Sequence, residues 1–286
     1  MKVAVTSGSG QLGSAIVKAL IKEIGKENVI AIARTPERAK HLGVEVRKGD
    51  YDQAEDLDVA LKGVDKILLV SGMAEPQRRV QQHRNVIETA KKNGIKKIVY
   101  TSIVGDEENT AFHHVVKSNR QTEEDVRNAG LDWVIGRNGI YIEPDLEYLD
   151  NYLKEGEIRN CAANGKCAYT SREELASAYT QMLLNDDHSK QIYNLVGEAI
   201  SQARLTELIN QVFGLDLKFK SISVEDYTKE RQAELGNFIG PIIAGIYEGI
   251  KLGVNDVTSD FIKVTGRPHK SPLAMMTRFR QSQKSA

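Results

Sequence analysis

Three glycines near the start of the chain, Gly8, Gly10 and Gly13, stand between a short apolar run (Val3, Ala4, Val5) and a segment with apolar residues at helical spacing (Leu12, Ile16, Leu20, Ile24). A strand, a glycine turn and the opening of an amphipathic helix, in that order, form the setting that a dinucleotide pyrophosphate requires. Gly8 is expected to permit the tight turn, Gly10 to let backbone amides approach phosphate, and Gly13 to let helix and strand pack closely. The unpaired amides and partial positive charge of the helix N-terminus would then face the anion. On this reading Thr6, Ser9, Gln11 and Leu12 also belong to the cofactor loop. The spacing alone is weak, because a glycine turn joining any strand to any helix produces it, so the flanks carry the argument.

A second strand should end with the residue that reads the adenosine ribose, where a carboxylate would favour NAD. Arg34 stands there, 34 minus 13 or 21 positions beyond Gly13, with no acid before Glu37. A guanidinium grips a 2′-phosphate by forked, charge-assisted hydrogen bonds, so NADPH is expected over NADH, with Arg38 able to share the role. Asp50, in Lys48-Gly49-Asp50-Tyr51, is placed to accept from the adenine amino group, and Tyr51 beside it joins the cofactor set. Ser71 and Gly72 follow the fourth strand, where backbone should pass the second ribose.

These residues need a scaffold, and the pattern supplies one. Runs of strand length at Val29 to Ala33, Val44 to Val46, Ile67 to Val70, Ile98 to Tyr100 and Trp133 to Ile135 alternate with helical segments, which Gly63, Gly94 and Gly130 close. Continuous apolar strands separated by amphipathic helices predict an α/β fold: a Rossmann-type, doubly wound parallel sheet covered on both faces, with ligands at the carboxyl ends of the strands. Residues 1–140 are read as the NAD(P)-binding domain and 141–286 as a smaller α/β substrate lobe, with a strand near 192–196 returning to the main sheet. In that lobe the spacing predicts helices from Arg172 to Leu184, Arg204 to Phe213 and Asn237 to Leu252, a strand from Leu217 to Ile222, and a cap at Ser223 with Asp226. The tail after Arg280 is expected to fray.

Lys plus Arg and Asp plus Glu are 39 each, which offers no global field for nucleic acid or anionic lipid. No apolar run approaches the roughly 20 residues of a membrane span, and no secretory stretch is expected at the N-terminus. Cys161 and Cys167 are too few for a disulfide framework and suit a reducing cytoplasm as two unreactive thiols; no metal site is expected. A monomer or homodimer fits equally.

Five stretches in order, TSGSGQLG from Thr6, GDYDQ from Gly49, QHRNVIETAKKNGIKKIVYTS from Gln82, RNGIY from Arg137 and TGRP from Thr265, resemble the NmrA-like, atypical short-chain dehydrogenase/reductase family. Within it the likeness is greatest to bacterial NAD(P)H-quinone oxidoreductases of type 2 and triphenylmethane dye reductases, and it runs nearly end to end. The family usually reads TGATG; Ser7 here replaces the first glycine, and Gly8 is expected to restore the turn. Larger relatives use a Tyr-x-x-x-Lys pair, but the resemblance places Val115 at the tyrosine and Asn119 at the lysine, which leaves Asn119 as a cofactor contact. Lys117 is off register and is read as a surface charge.

Without that pair, ordinary carbonyl reduction and sugar epimerisation lack the acid that a strongly basic alkoxide needs. Hydride addition to a quinone leaves a phenolate-like oxygen, with a pKa of about 10 by comparison with tyrosine, which needs only a modest donor. The candidates near the nicotinamide are Thr101 (also a cofactor contact) and Ser102 after the fifth strand, His113 and His114 on the following loop, and Asn138 and Tyr141 after the sixth. The resemblance thus implies an NADPH-dependent quinone or dye reductase acting on a small molecule. An NADP-sensing regulator without turnover is the alternative, and a sugar-nucleotide epimerase the third reading.

Overall fold

In the computed structural model, which describes residues 1–283, the first half alternates strand and helix: β1 (Val3–Val5), α1 (Gln11–Ile24), β2 (Val29–Ala33), β3 (Glu45–Lys48), α2 (Ala54–Ala60), β4 (Lys66–Leu69), α3 (Pro76–Lys92), β5 (Lys97–Ile103), α4 (His113–Arg127) and β6 (Asp132–Asn138). The second half is more broken. It runs α5 (Glu143–Glu147), α6 (Leu149–Glu155), β7 (Glu157–Asn160), β8 (Lys166–Ala168), α7 (Arg172–Leu184), β9 (Gln191–Leu195), β10 (Ala199–Ser201), α8 (Gln202–Phe213), β11 (Lys218–Ser221), α9 (Val224–Lys251), α10 (Phe261–Thr265) and α11 (Pro272–Gln283).

Seven parallel strands form one sheet in the order β3-β2-β1-β4-β5-β6-β9. All residues of β1, β2 and β4 are buried, as strands covered on both faces must be. Val3, Val5, Ala31, Val99 and Val134 pack against α1 and α7; Ala4, Ile30, Ile67, Ile98, Tyr100 and Ile135 pack against α2, α3 and α4. The order turns back on itself between β1 and β4, and the crevice beyond their carboxyl ends is where such sheets bind ligands. The doubly wound α/β fold is therefore as the sequence predicts.

A third core, with Leu146, Ile158, Tyr169, Leu205, Ile209 and Met276, fills the smaller lobe. Two-stranded pairs β8–β10 and β7–β11 brace it. Glu157 and Arg159, half exposed and ion-paired, hide β7 from a reading based on apolar runs. Strand β9 pairs with β6, and α7 packs on α1, so the chain re-enters the main sheet after the lobe has begun. Helix α9 breaks at Gly236 (φ 82°), and a Cβ on Gly240 would fall 2.6 Å from the Arg231 carbonyl carbon, so its two halves fold back on each other. Ser223 caps it by accepting from the Asp226 amide. Ile250 is buried while Ile239 is 38% exposed. Both cysteines are free and buried. The fraying expected past Arg280 is not seen up to Gln283, which ends α11; the last three residues lie outside the described ones. Among the described residues no helix is long and apolar enough to cross a membrane.

Arg267 of the TGRP stretch closes the fold. Its guanidinium donates to both oxygens of the fully buried Glu174 on α7 (2.6 and 2.9 Å), which also accepts from the Lys270 amide (3.0 Å). Burial works against the charge, yet these donors hold the Glu174 carboxyl below its usual range. A depressed carboxyl stabilises the fold above its unfolded pKa of about 4.3, and that contribution fades as pH falls through the folded value. Arg267→Ala should therefore cost about 2 kcal/mol in urea unfolding at neutral pH, because it removes the fork while the Lys270 ammonium (3.2 Å) still faces the carboxylate. The difference from the unaltered chain should shrink below pH of about 4 as Glu174 protonates.

Candidate cofactor and acceptor site

The turn after β1 meets the requirements of an anion cradle. Gly10 caps α1 with extended backbone, no side chain caps the helix, and no acidic residue stands in its first turn. The Gly10 amide is spent on the Ser7 carbonyl (2.9 Å), which leaves the first-turn amides from Gln11 to Gly13 for a ligand. Ser9 is half exposed, Gly10 and Gln11 are exposed, and Leu12 points into the core. A Cβ on Gly13 would lie 2.3 Å from the Ser7 carbonyl oxygen, so only glycine lets α1 approach this closely.

One expectation needs correction. The left-handed position of the turn falls on Ser7 (φ 50°) and not on Gly8. Gly8 is needed for space, since its Cβ would meet the Ala31 Cβ of β2 at 2.9 Å. A side chain in the left-handed region costs about 1–2 kcal/mol, so the surroundings must hold it. They do so from beneath: the Tyr51 hydroxyl shares its one hydrogen between the Thr6 hydroxyl oxygen and the Val70 carbonyl (2.8 Å) and lies 3.3 Å from Ser7 Oγ. Thr6 donates to Leu68 O (3.0 Å) and accepts from Val70 N (2.9 Å). Thr6 and Tyr51, expected at the cofactor, are buried and committed to this knot, and burial pushes the Tyr51 phenol up to about 12.

Arg34 stands exposed just past β2, with no hydrogen bond or ion pair among the described residues. Asp50 accepts from the Asp52 amide (3.1 Å), a tight turn that leaves its second oxygen uncommitted. Arg78 fixes Asp52 at 2.6 Å and holds its carboxyl below the usual range.

The loop after β4 is anchored at two amides. Ser71 N donates to Thr101 Oγ1 (2.8 Å) and Gly72 N to His83 Nε2 (2.9 Å). His83 Nδ1 lies 3.0 Å from Thr122 Oγ1, which donates to Ser118 O. Because Nε2 accepts, Nδ1 carries the hydrogen, and one tautomer satisfies the whole chain. Burial drives the His83 pKa from 6.5 down to about 3. Sequence reading missed His83, although it lies within the QHRN stretch. Asn119 is buried rather than open to a ribose: its Oδ1 accepts from Tyr100 (2.7 Å) and Ser71 Oγ (3.3 Å), and its amide donates to Val115 O (2.8 Å).

The sheet separates the expected donors. Thr101 and Ser102 lie within β5, not after it, and alternate faces. Ser102 faces α4, where it donates to Glu123 (2.6 Å); burial opposes that carboxylate's charge, but Arg137 (2.7 and 2.9 Å) and Arg120 (2.8 Å) hold it below its usual range. Asn138 ends β6 on the α7 face and donates to the Tyr141 hydroxyl (3.0 Å). Burial pushes the half-buried Tyr141 phenol up to about 12. Thr101, Asn138 and Tyr141 therefore share one side, and Ser102 and Asn119 the other. His113 and His114 open α4 rather than lying on a loop; His113 bonds to Thr110 O (2.6 Å) and His114 is exposed. Lys117 is exposed and lines, with Asp106, Glu107 and Glu108, an open cleft of about 620 Å³.

Residues 8–186 match the NAD(P)H-binding family, a span that begins in the glycine turn and ends beyond α7. The chain belongs to the NAD(P)H-binding, NmrA-like family. It is 30% identical over 272 residues to quinone oxidoreductase 2 of Escherichia coli (strain K12), covering 93% of this chain and 94% of that protein. The crystal structure of the NADPH-dependent quinone oxidoreductase QOR2 from E. coli, complexed with NADPH, superposes with a TM-score of 0.88 at 27% identity, covering 97% and 99% of the two chains. Triphenylmethane reductase of Citrobacter sp., complexed with NADP(H), gives 0.88 at 29%, covering 98% and 99%. The uncapped first turn of α1 and the glycine cradle fit the dinucleotide that this family binds.

Two outcomes follow from this geometry. Gly13→Ala should abolish NADPH binding in a fluorescence titration, since the clash falls on the Ser7 backbone and no flexible side chain relieves it. For His83, whose folded pKa is depressed, the unfolded chain binds the extra proton, so its contribution to stability is complete above 6.5 and lost towards 3. His83→Gln, which keeps an acceptor for Gly72, should flatten the fall in unfolding free energy between these pH values relative to the unaltered chain.

Proposed function

We propose that this chain is an NADPH-dependent oxidoreductase that passes hydride to a quinone or a similarly flat, conjugated acceptor. The observation that carries the proposal is the Asn138–Tyr141 pair at the carboxyl end of β6, together with a helix α4 whose acid-and-lysine positions hold Val115 and Asn119. Such a site offers a hydrogen bond but no strong proton donor. That suffices for an oxygen whose conjugate acid has a pKa of about 10, and falls short for an alkoxide. The named activities of the relatives in Escherichia coli and Citrobacter point the same way.

NADPH supplies the hydride when bound. The first-turn amides of α1 would take its pyrophosphate, Arg34 its 2′-phosphate and Asp50 its adenine amino group. Ser71 and Gly72, tied down by Thr101 and His83, would give the ribose and nicotinamide a rigid wall. With its pKa near 12, Tyr141 keeps its proton across the physiological range, so it would donate a hydrogen bond to the oxygen that gains charge without ionising. Orientation then carries most of the rate. The same absence of a Tyr/Lys pair also favours a second reading, an NADP-sensing protein whose output is a partner.

Stopped-flow and steady-state assays with a panel of benzoquinones, naphthoquinones and cationic dyes decide between these. NADPH should bind at least about tenfold more tightly than NADH, the two converging in Arg34→Ala. At least one quinone should oxidise NADPH well above the uncatalysed rate. Tight binding with no turnover of any acceptor would leave only the sensing reading.

A further inference from the structure

We infer that Tyr179, a fully buried residue of α7, aims the Tyr141 proton at the acceptor by fixing the side-chain amide of Asn138. The inference rests on the proposed reaction in taking Tyr141 as the donor to the acceptor oxygen. Tyr179 Oη lies 2.6 Å from Asn138 Oδ1 and 3.0 Å from the Gly136 carbonyl oxygen. A separation of 2.6 Å suits O–H···O and is too short for N–H···O, so it is the amide oxygen that faces Tyr179. The Asn138 NH2 group must then face Tyr141, and its 3.0 Å contact has the length of an N–H···O bond.

The consequence is a direction for one hydrogen. Tyr141 Oη accepts from Asn138, and among the described residues no acceptor takes the Tyr141 hydrogen, so that hydrogen is left for a ligand. With the amide turned over, Tyr141 would donate inward to Asn138 and present lone pairs to the acceptor, which would repel an oxygen gaining negative charge. Tyr179 opposes that alternative because its single hydrogen goes to Asn138 Oδ1 at 2.6 Å in preference to the Gly136 carbonyl at 3.0 Å. Strand β6 is built to admit its hydroxyl: a Cβ on Gly136 would lie 2.5 Å from Tyr179 Oη, so glycine in mid-strand, otherwise unfavourable, is what lets the phenol reach Asn138. Tyr179 touches neither cofactor nor acceptor in this arrangement and is a positioning residue.

A double-variant cycle tests it. Tyr141→Phe should lower kcat for quinone reduction by about 10²-fold, the usual loss for one oxyanion donor. Tyr179→Phe, which keeps the buried ring, should lower kcat by about tenfold while the NADPH Kd and the acceptor KM stay unchanged. The combined variant should fall no further than Tyr141→Phe alone, because Tyr179 acts through Tyr141. A combined loss equal to the product of the two single losses overturns the inference. Binding of 4-nitrophenolate to the NADP+ complex, read by its absorbance, gives a measure that needs no turnover. Its affinity should drop about tenfold in each single variant and no further in the combined one. An unchanged affinity in Tyr179→Phe overturns the relay whatever the activity. The expected binding pattern in a chain that reduces no quinone supports the relay and rejects only the proposed reaction.

Discussion

Helix α1 can offer its first amides to an anion only because nothing projects between it and the turn it rests on. The contact of Gly13 with the Ser7 carbonyl sets that distance, and the rest of the molecule is arranged to keep it. Beneath the turn, Thr6, Tyr51 and Val70 tie β1, the segment after β3 and β4 into one hydrogen-bonded knot, which holds Ser7 in its left-handed conformation. Behind the helix, α7 packs against it from the far side of the chain. The uncapped, open end of α1 is thus a by-product of how tightly two backbones approach.

Similar economy governs the loop after β4. Its two amides end on a threonine of β5 and a histidine of α3, and the histidine is neutral because it is buried. A neutral imidazole can accept from one neighbour and donate to another at once, which a charged one cannot. The loop is thereby held without burying a charged imidazole beneath it.

Much of this was legible in the sequence, and what was not has identifiable causes. Strands β1, β2, β4, β5 and β6 are read from their apolar runs, and α7 is read to its terminal residues, because burial on both faces leaves a strong pattern. The glycine cluster marks the cradle, but spacing could not tell which residue carries the positive φ. Ser7 does, because space beside Ala31 rather than backbone freedom decides what Gly8 must be. Thr101 and Ser102 look equivalent as neighbours, yet the two-residue period of a strand sends them to opposite sides of the sheet. Asn119 and Tyr51 face inward because their partners, Tyr100 and Val70, come from distant parts of the chain that no local pattern announces. His83 and Tyr179 were hidden for the same reason: each acts through a residue far away in sequence.

The return of the chain to its first sheet bears on how the two parts can vary. Helix α7 shields α1, and β9 covers the flank of β6, although both follow the opening of the smaller lobe. Severing the polypeptide near residue 140 would strip one side of the main sheet and bare a strand edge, an invitation to aggregate. Variation in such a protein is therefore tolerated within the insertion between β6 and α7, not through a wholesale swap of the distal half.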